Sequence, residues 1–259
     1  MVGSIAKSRK SHPMNFHAIT GQHMFLAYIP HLVPGLPPPA RITSVFFKYF
    51  EIAAIVFGAL GGALTVRRMR RSRYDFFGLL GLGLISGVGG GIVRDILLGD
   101  GPPLSLEHPD YLAYALIGAA IAILFGRNIG PGFLATMNIA DALALGLFTV
   151  AGSTRAQNAG LGFLPALMLG VITAVGGGAL RDLFSGRKIA IFQEGELYAL
   201  ASAACATVFL SIQKLGIPQS RAAGIGTFVG FALRTLAIHY GWRTRAVGTI
   251  TADHDGEAD

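Results

Sequence analysis

Arg94 and Asp95 follow three consecutive glycines inside an apolar run, "GVGGGIVRDILLG" at positions 87–99, and the arrangement returns at 174–186 as "AVGGGALRDLFSG". These residue types do not form a bond-making constellation. The chain has no His-Glu-x-x-His, no paired-cysteine motif and no Gly-Lys-Ser/Thr phosphate loop, so hydrolytic metal chemistry and direct ATP coupling lack a signature. The stretch "GLGLISG" lacks the strand-turn-helix setting of a nucleotide loop. No metal, no cofactor and no enzymatic activity are expected. A charge at the centre of a bilayer costs about 2.5–3.5 kcal/mol on insertion scales. Arginine and aspartate at matching places in two apolar runs therefore point to a passage for polar solutes.

The elements that hold these residues must be apolar helices. Of 259 residues, 52% are hydrophobic and 14% charged, and mean hydropathy is +0.56, too apolar for an ordinary soluble domain. The formal charge of +7 sets orientation in a membrane protein rather than marking a nucleic-acid partner. Cys205 is the only cysteine, so the chain has no internal disulfide, and a small packing role is expected of it. Seven apolar segments can be marked, near 45–66, 76–98, 111–126, 138–153, 161–184, 196–213 and 222–240. The expected class is an all-α integral membrane protein with seven transmembrane helices.

Residues 1–44, basic and then proline-rich, are expected to be a poorly ordered extension without signal-peptide features. The first helices are expected to form one three-helix repeat over 45–126 and the next three a second over 133–213. A seventh helix follows at 222–243, then a tail at 244–259. Between the first two helices stand Arg67, Arg68, Arg70, Arg71 and Arg73, the densest basic cluster. Alternation from there puts these five with Arg127, Arg187, Lys188, Arg243 and Arg245 on one side, against Arg155, Lys214 and Arg221 on the other. Ten against three predicts an outside N-terminus and a cytoplasmic C-terminus.

Sliding the chain by 87 residues lays 76–99 on 163–186 with 12 identities in 24 positions. Tyr111 then falls on Tyr198, while Glu51 and Asp141 match at a slightly larger offset. Three is odd, so the second copy must run through the membrane in the opposite sense, giving an inverted 3+3 repeat with one helix left over. Glycine inside a helix costs roughly 1 kcal/mol relative to alanine, and two triplets, Gly89, Gly90, Gly91 and Gly176, Gly177, Gly178, predict broken or kinked helices lining a pathway at the repeat interface. Gly58 with Gly62, and Gly226 with Gly230, read as close-packing positions.

Neighbouring helical residues point about 100° apart, so Arg94 and Asp95 are expected to find partners elsewhere, with Arg94 near Asp182 and Arg181 near Asp95 as one symmetric solution. Glu51 and Asp141 are candidates for a pore mouth, Lys48 is a candidate partner of Glu51, and Arg234 is expected to face the bundle. Inverted repeats with broken helices also describe alternating-access carriers, so a secondary transporter of glycine or another small solute stands as the alternative.

The doubled "GGGIVRD" and "GGGALRD", with two three-helix repeats and a last helix ending "RTLAIHYGW", resemble the prokaryotic branch of the trimeric intracellular cation (TRIC) channel family. Its bacterial members also carry the label of glycine-transporter-domain proteins. The resemblance spans roughly residues 45–243. It implies a homotrimer in a bacterial-type inner membrane, among membrane lipids, with a pore inside each protomer that passes potassium and sodium. It assigns the pore kinks to the two glycine triplets and the pore charge network to Arg94, Asp95, Arg181 and Asp182. The basic lipid-associated motif of animal members has no counterpart here, where the sequence reads Ile-Val-Arg-Asp.

Overall fold

Long apolar runs without polar stripes fold as helices that are buried on several faces at once, because only intrahelical bonds can satisfy the backbone without water. The computed structural model describes residues 45–67, 74–99, 101–125, 132–192 and 197–243. All fall in the compact unit Pro39–Asp259. The expectations for 1–44, for Arg68, Arg70, Arg71, Arg73 and Arg127, and for the tail at 244–259 lie outside the described residues.

Eight α-helices are present among them: α1 Val45–Arg67, α2 Phe76–Leu98, α3 Leu104–Glu107, α4 Asp110–Phe125, α5 Phe133–Asn158, α6 Phe163–Phe184, α7 Tyr198–Lys214 and α8 Gln219–Tyr240. No strand occurs among the described residues. Local chemistry sets the ends of α2. The Asp75 carboxylate accepts the Gly78 N–H at 2.7 Å to start it, and Gly99 closes it in the left-handed region at φ 64°. Five helices are long and apolar enough to cross a membrane: α1, α2, α5, α6 and α8. Helices α4 and α7 have 16 and 17 residues, short of the roughly 20 that span a bilayer. Five rather than seven thus meet the length on their own. The short helix α3 was not expected; four residues carry no periodic signal.

Helices α1, α2 and α4 pack together, as do α5, α6 and α7, and α8 leans on α5 and α7. The two groups meet through α2 against α6 and α1 against α5. The run of α6 against α2 is antiparallel: the Tyr74 hydroxyl before α2 donates to the Ser185 carbonyl after α6 at 3.1 Å. The crossing itself is reciprocal. A Cβ on Gly90 would strike the Thr173 carbonyl, and one on Gly177 would strike the Ser86 carbonyl. Each pair is the other shifted by 87 residues, so a pseudo-two-fold axis passes between Gly90 and Gly177, the signature of an inverted repeat.

Both triplets lie within continuous helices, so the expected break is absent. The three glycines do different things. Gly89 and Gly90 let α2 touch α6, while Gly91 has only an Arg94 guanidinium nitrogen within 4 Å of its Cβ position, and Gly176, Gly177 and Gly178 repeat the scheme. Gly58 and Gly62 admit Phe148 and Ser86, and Gly226 and Gly230 admit Phe209 and Cys205, which are packing roles. At the flank, Arg67 donates to the last carbonyls of α4, those of Ala122 and Ile123.

Overpacking a site backed by backbone typically costs about 1–3 kcal/mol. G90A and G177A should therefore each lower the temperature at which detergent-solubilised protein loses its monodisperse size-exclusion peak. G81A, whose Cβ position has nothing within 4 Å, is the control expected to behave as wild type. Wild-type heat resistance in G90A would mean that the crossing is not close-packed.

Candidate functional site

Arg94 and Asp95 stand close to the C-terminal end of α2, which stops at Leu98 before the chain turns at Gly99, and this places both at one end of the bundle. The Arg94 Nε donates to Asp95 Oδ1 at 2.8 Å, and Asp95 Oδ2 accepts the Leu104 N–H that opens α3, also at 2.8 Å. The pattern recurs in the second repeat. Arg181 donates to Asp182 Oδ1 at 3.1 and 2.9 Å, and Asp182 Oδ2 accepts the Ala190 N–H of a 3-10 turn, Ala190–Phe192, at 3.2 Å. The expected cross-pairs of Arg94 with Asp182 and Arg181 with Asp95 are therefore replaced by sequence neighbours. Arginine's long stem curls back over the 100° that separates adjacent positions, and the aspartate's second oxygen is committed to the returning chain.

Glu51 sits one helix away and gathers donors. Arg94 Nη1 reaches Oε1 at 3.2 Å, Arg155 grips both oxygens at 3.1 and 3.2 Å, and the Tyr111 hydroxyl donates to Oε2 at 3.2 Å. A carboxylate and two guanidiniums taken out of water need this degree of mutual satisfaction. Lys48, the sequence-based partner, instead pairs with Asp110 at 3.4 Å near the surface. A cavity of about 20 Å³ remains, bordered by Glu51, Gly91, Arg94, Tyr111 and Phe148, room for about one water.

Asp141 repeats the role at the other end. Tyr198 donates to it at 3.4 Å, and Arg234 of α8 pairs with it at 3.5 Å while stacking over the Tyr198 ring at 4.7 Å. Arg234 thus faces the bundle, as expected. This end encloses about 360 Å³, lined by Asp141, Gly178, Arg181, Asp182, Tyr198 and Arg234, with Arg187, Lys188 and Arg243 also at its wall. Three of the loop charges counted from the sequence thus stand at the cavity wall.

The structure brings every sequence-derived site charge into one of two clusters, Glu51 with Arg94 and Asp95, and Asp141 with Arg181 and Asp182. Arg155 was missed as a member, having been counted as a loop charge; it lies inside α5. Phe148 also borders the Glu51 cavity, and nothing in its local sequence distinguishes it from the other apolar residues of α5. Tyr111 and Tyr198 were visible as a repeat match. No group of histidine, cysteine, aspartate and glutamate suited to a metal occurs among the described residues.

A family model described as "Glycine transporter" matches residues 48–127 and 138–214, the two repeats. The chain belongs to this family. Relatives include a UPF0126 membrane protein of Deinococcus radiodurans, 39% identical over 154 residues, which are 59% of this chain and 69% of that protein. The UPF0126 inner membrane protein YadS of Escherichia coli K12 is 31% identical over 209 residues, 80% of this chain and 98% of its own. Among solved structures, the TRIC trimeric intracellular cation channel orthologue from Rhodobacter sphaeroides superposes with TM-score 0.69 at 31% identity, over 76% of this chain and 100% of that one. A second TRIC cation channel, studied for the basis of conductance, gives TM-score 0.69 at 29% identity, over 80% and 99%. The family read from the doubled Gly-Gly-Gly and Arg-Asp motif and the family found by fold agree. The family's two matched segments coincide with the two packing groups, and the chain is a multi-pass membrane protein.

Removing one member of a buried ion pair typically costs about 3–5 kcal/mol. The Glu51 side chain is 7% exposed and that of Asp141 29%, so E51Q should lose heat-stable protein to a far greater extent than D141N. Equal losses would argue that water reaches both clusters alike.

Proposed function

We propose that the protein is a homotrimeric monovalent cation channel of the TRIC type in a bacterial inner membrane, passing potassium and sodium. The proposed pore runs inside each protomer along the interface of the two repeats, from the Glu51 cavity past Gly91 and Gly178 to the Asp141 cavity. The observation that carries this reading is that one charged cluster occurs twice, on opposite sides of the pseudo-two-fold axis, each with an acidic residue, a tyrosine and an Arg-Asp pair.

Arginines on a cation path would repel the ion if bare. Here Arg94, Arg155, Arg181 and Arg234 each have a carboxylate partner. What an ion meets at the Glu51 end is a neutral set, two carboxylates against two guanidiniums. The similarity to solved TRIC channels supports the same reading. In it, the glycine triplets act as pore kinks and α4 and α7 complete a seven-span count. The ten-to-three basic excess supports an outside N-terminus and a cytoplasmic C-terminus.

One observation favours a carrier instead. The cavity at one end is nearly filled while its counterpart is open, the arrangement expected of alternating access. The Arg and Asp pairs would suit the carboxylate and ammonium of glycine. Purified protein in planar bilayers under a potassium gradient separates the two. Unitary current steps that reverse near the potassium potential and ignore added glycine are expected. Silent bilayers joined to saturable glycine uptake by liposomes would overturn the channel reading.

A further inference from the structure

The two cavities are one site seen twice, yet they hold about 20 and about 360 Å³. The difference traces to particular residues. Helices α1 and α5 correspond at an offset of 90, which aligns Glu51 with Asp141, Ile55 with Leu145, Gly58 with Phe148, Gly61 with Ala151 and Thr65 with Arg155. The Glu51 cavity therefore receives a phenyl ring and a guanidinium from α5. At the Asp141 end the corresponding α1 positions are Gly58 and Thr65, and neither lines the larger cavity.

Phe148 is 7% exposed and borders the small cavity together with Ile55, Val88 and Glu51. Its ring carbons lie 2.7 and 3.1 Å from where a Cβ on Gly58 would stand. The ring occupies its place only because its own repeat counterpart has no side chain. Glu51, Arg94, Asp95 and Tyr111 line the same cavity, and Arg155 holds Glu51 by two bonds.

We infer that Phe148 is a shutter, an apolar plug that closes the pathway at the Glu51 end, with the Arg155–Glu51 pair as its latch. An apolar ring across a narrow polar passage excludes water, and with it any hydrated solute. The asymmetry is written into the sequence rather than into a difference of conformation between identical halves. The inference rests on the proposed pathway through the two cavities.

Gly91 and Gly178 supply matched reporters. Each lines its own cavity, and the Cβ position of each meets only one guanidinium nitrogen, at 3.8 and 3.7 Å. In a C205A background, G91C and G178C would be exposed to a bulky, charged, thiol-reactive reagent in detergent. G178C should label and G91C should not. Adding F148A should raise G91C labelling to the level of G178C, and F148L should give an intermediate rate. Retained G178C labelling in the F148A protein reports that the fold survives. R155T, which copies Thr65, should speed G91C labelling less than F148A does.

G91C staying dark in both F148A and F148L while G178C labels would overturn the shutter. So would free labelling of G91C with Phe148 present. Labelling read without current keeps the two proposals apart: a G91C protein opened by F148A that still carries no potassium current would leave the shutter standing and remove the channel.

Discussion

Backbone touching backbone at the α2–α6 crossing is the contact on which the rest of the molecule depends. In a bilayer, apolar burial gives helices little reason to associate, so close van der Waals approach must supply the attraction. Gly90 against the Thr173 carbonyl and Gly177 against the Ser86 carbonyl leave no room for a side chain between the two helices. The two charged clusters then lie on either side of that crossing, one around Glu51 and one around Asp141.

The two clusters show how a membrane interior tolerates arginine and aspartate. Asp95 and Asp182 each hold an arginine with one oxygen and cap a returning segment with the other. The charge pair so formed is also a structural clasp between the end of a helix and the element after it. Glu51 and Asp141 each also take a partner from outside the motif. Arg155 of α5 answers for the first and Arg234 of the unpaired helix α8 for the second. The leftover helix thus completes a symmetry that its absence from the repeats would otherwise spoil.

Much of this was legible in the sequence because the repeat preserved identities at one spacing: the triplets, the Arg-Asp pairs and the two tyrosines all fall at 87. The helix pattern was legible because apolar runs of that length have few other fates. What stayed hidden depended on where the chain goes after a turn. Capping of Leu104 by Asp95 requires knowing that the segment after Gly99 folds back, and a four-residue helix gives no notice of itself. Phe148 and Arg155 stayed hidden for a different reason. The link from Glu51 to Arg94 is three residues longer than that from Asp141 to Arg181, so the offset slips from 87 to 90 and their counterparts, Gly58 and Thr65, do not line up. The pairing of Arg94 with its own neighbour was misjudged because direction along the helix was weighed and reach was not.

The Arg67 guanidinium carries a consequence for how the first repeat holds together. It stands at the last residue of α1 and donates to the Ala122 and Ile123 carbonyls near the end of α4. A hydrogen bond from a charged donor is stronger than one between neutral groups. One cation thus ties the ends of two helices to each other, and α4 cannot slide along α1 without losing it.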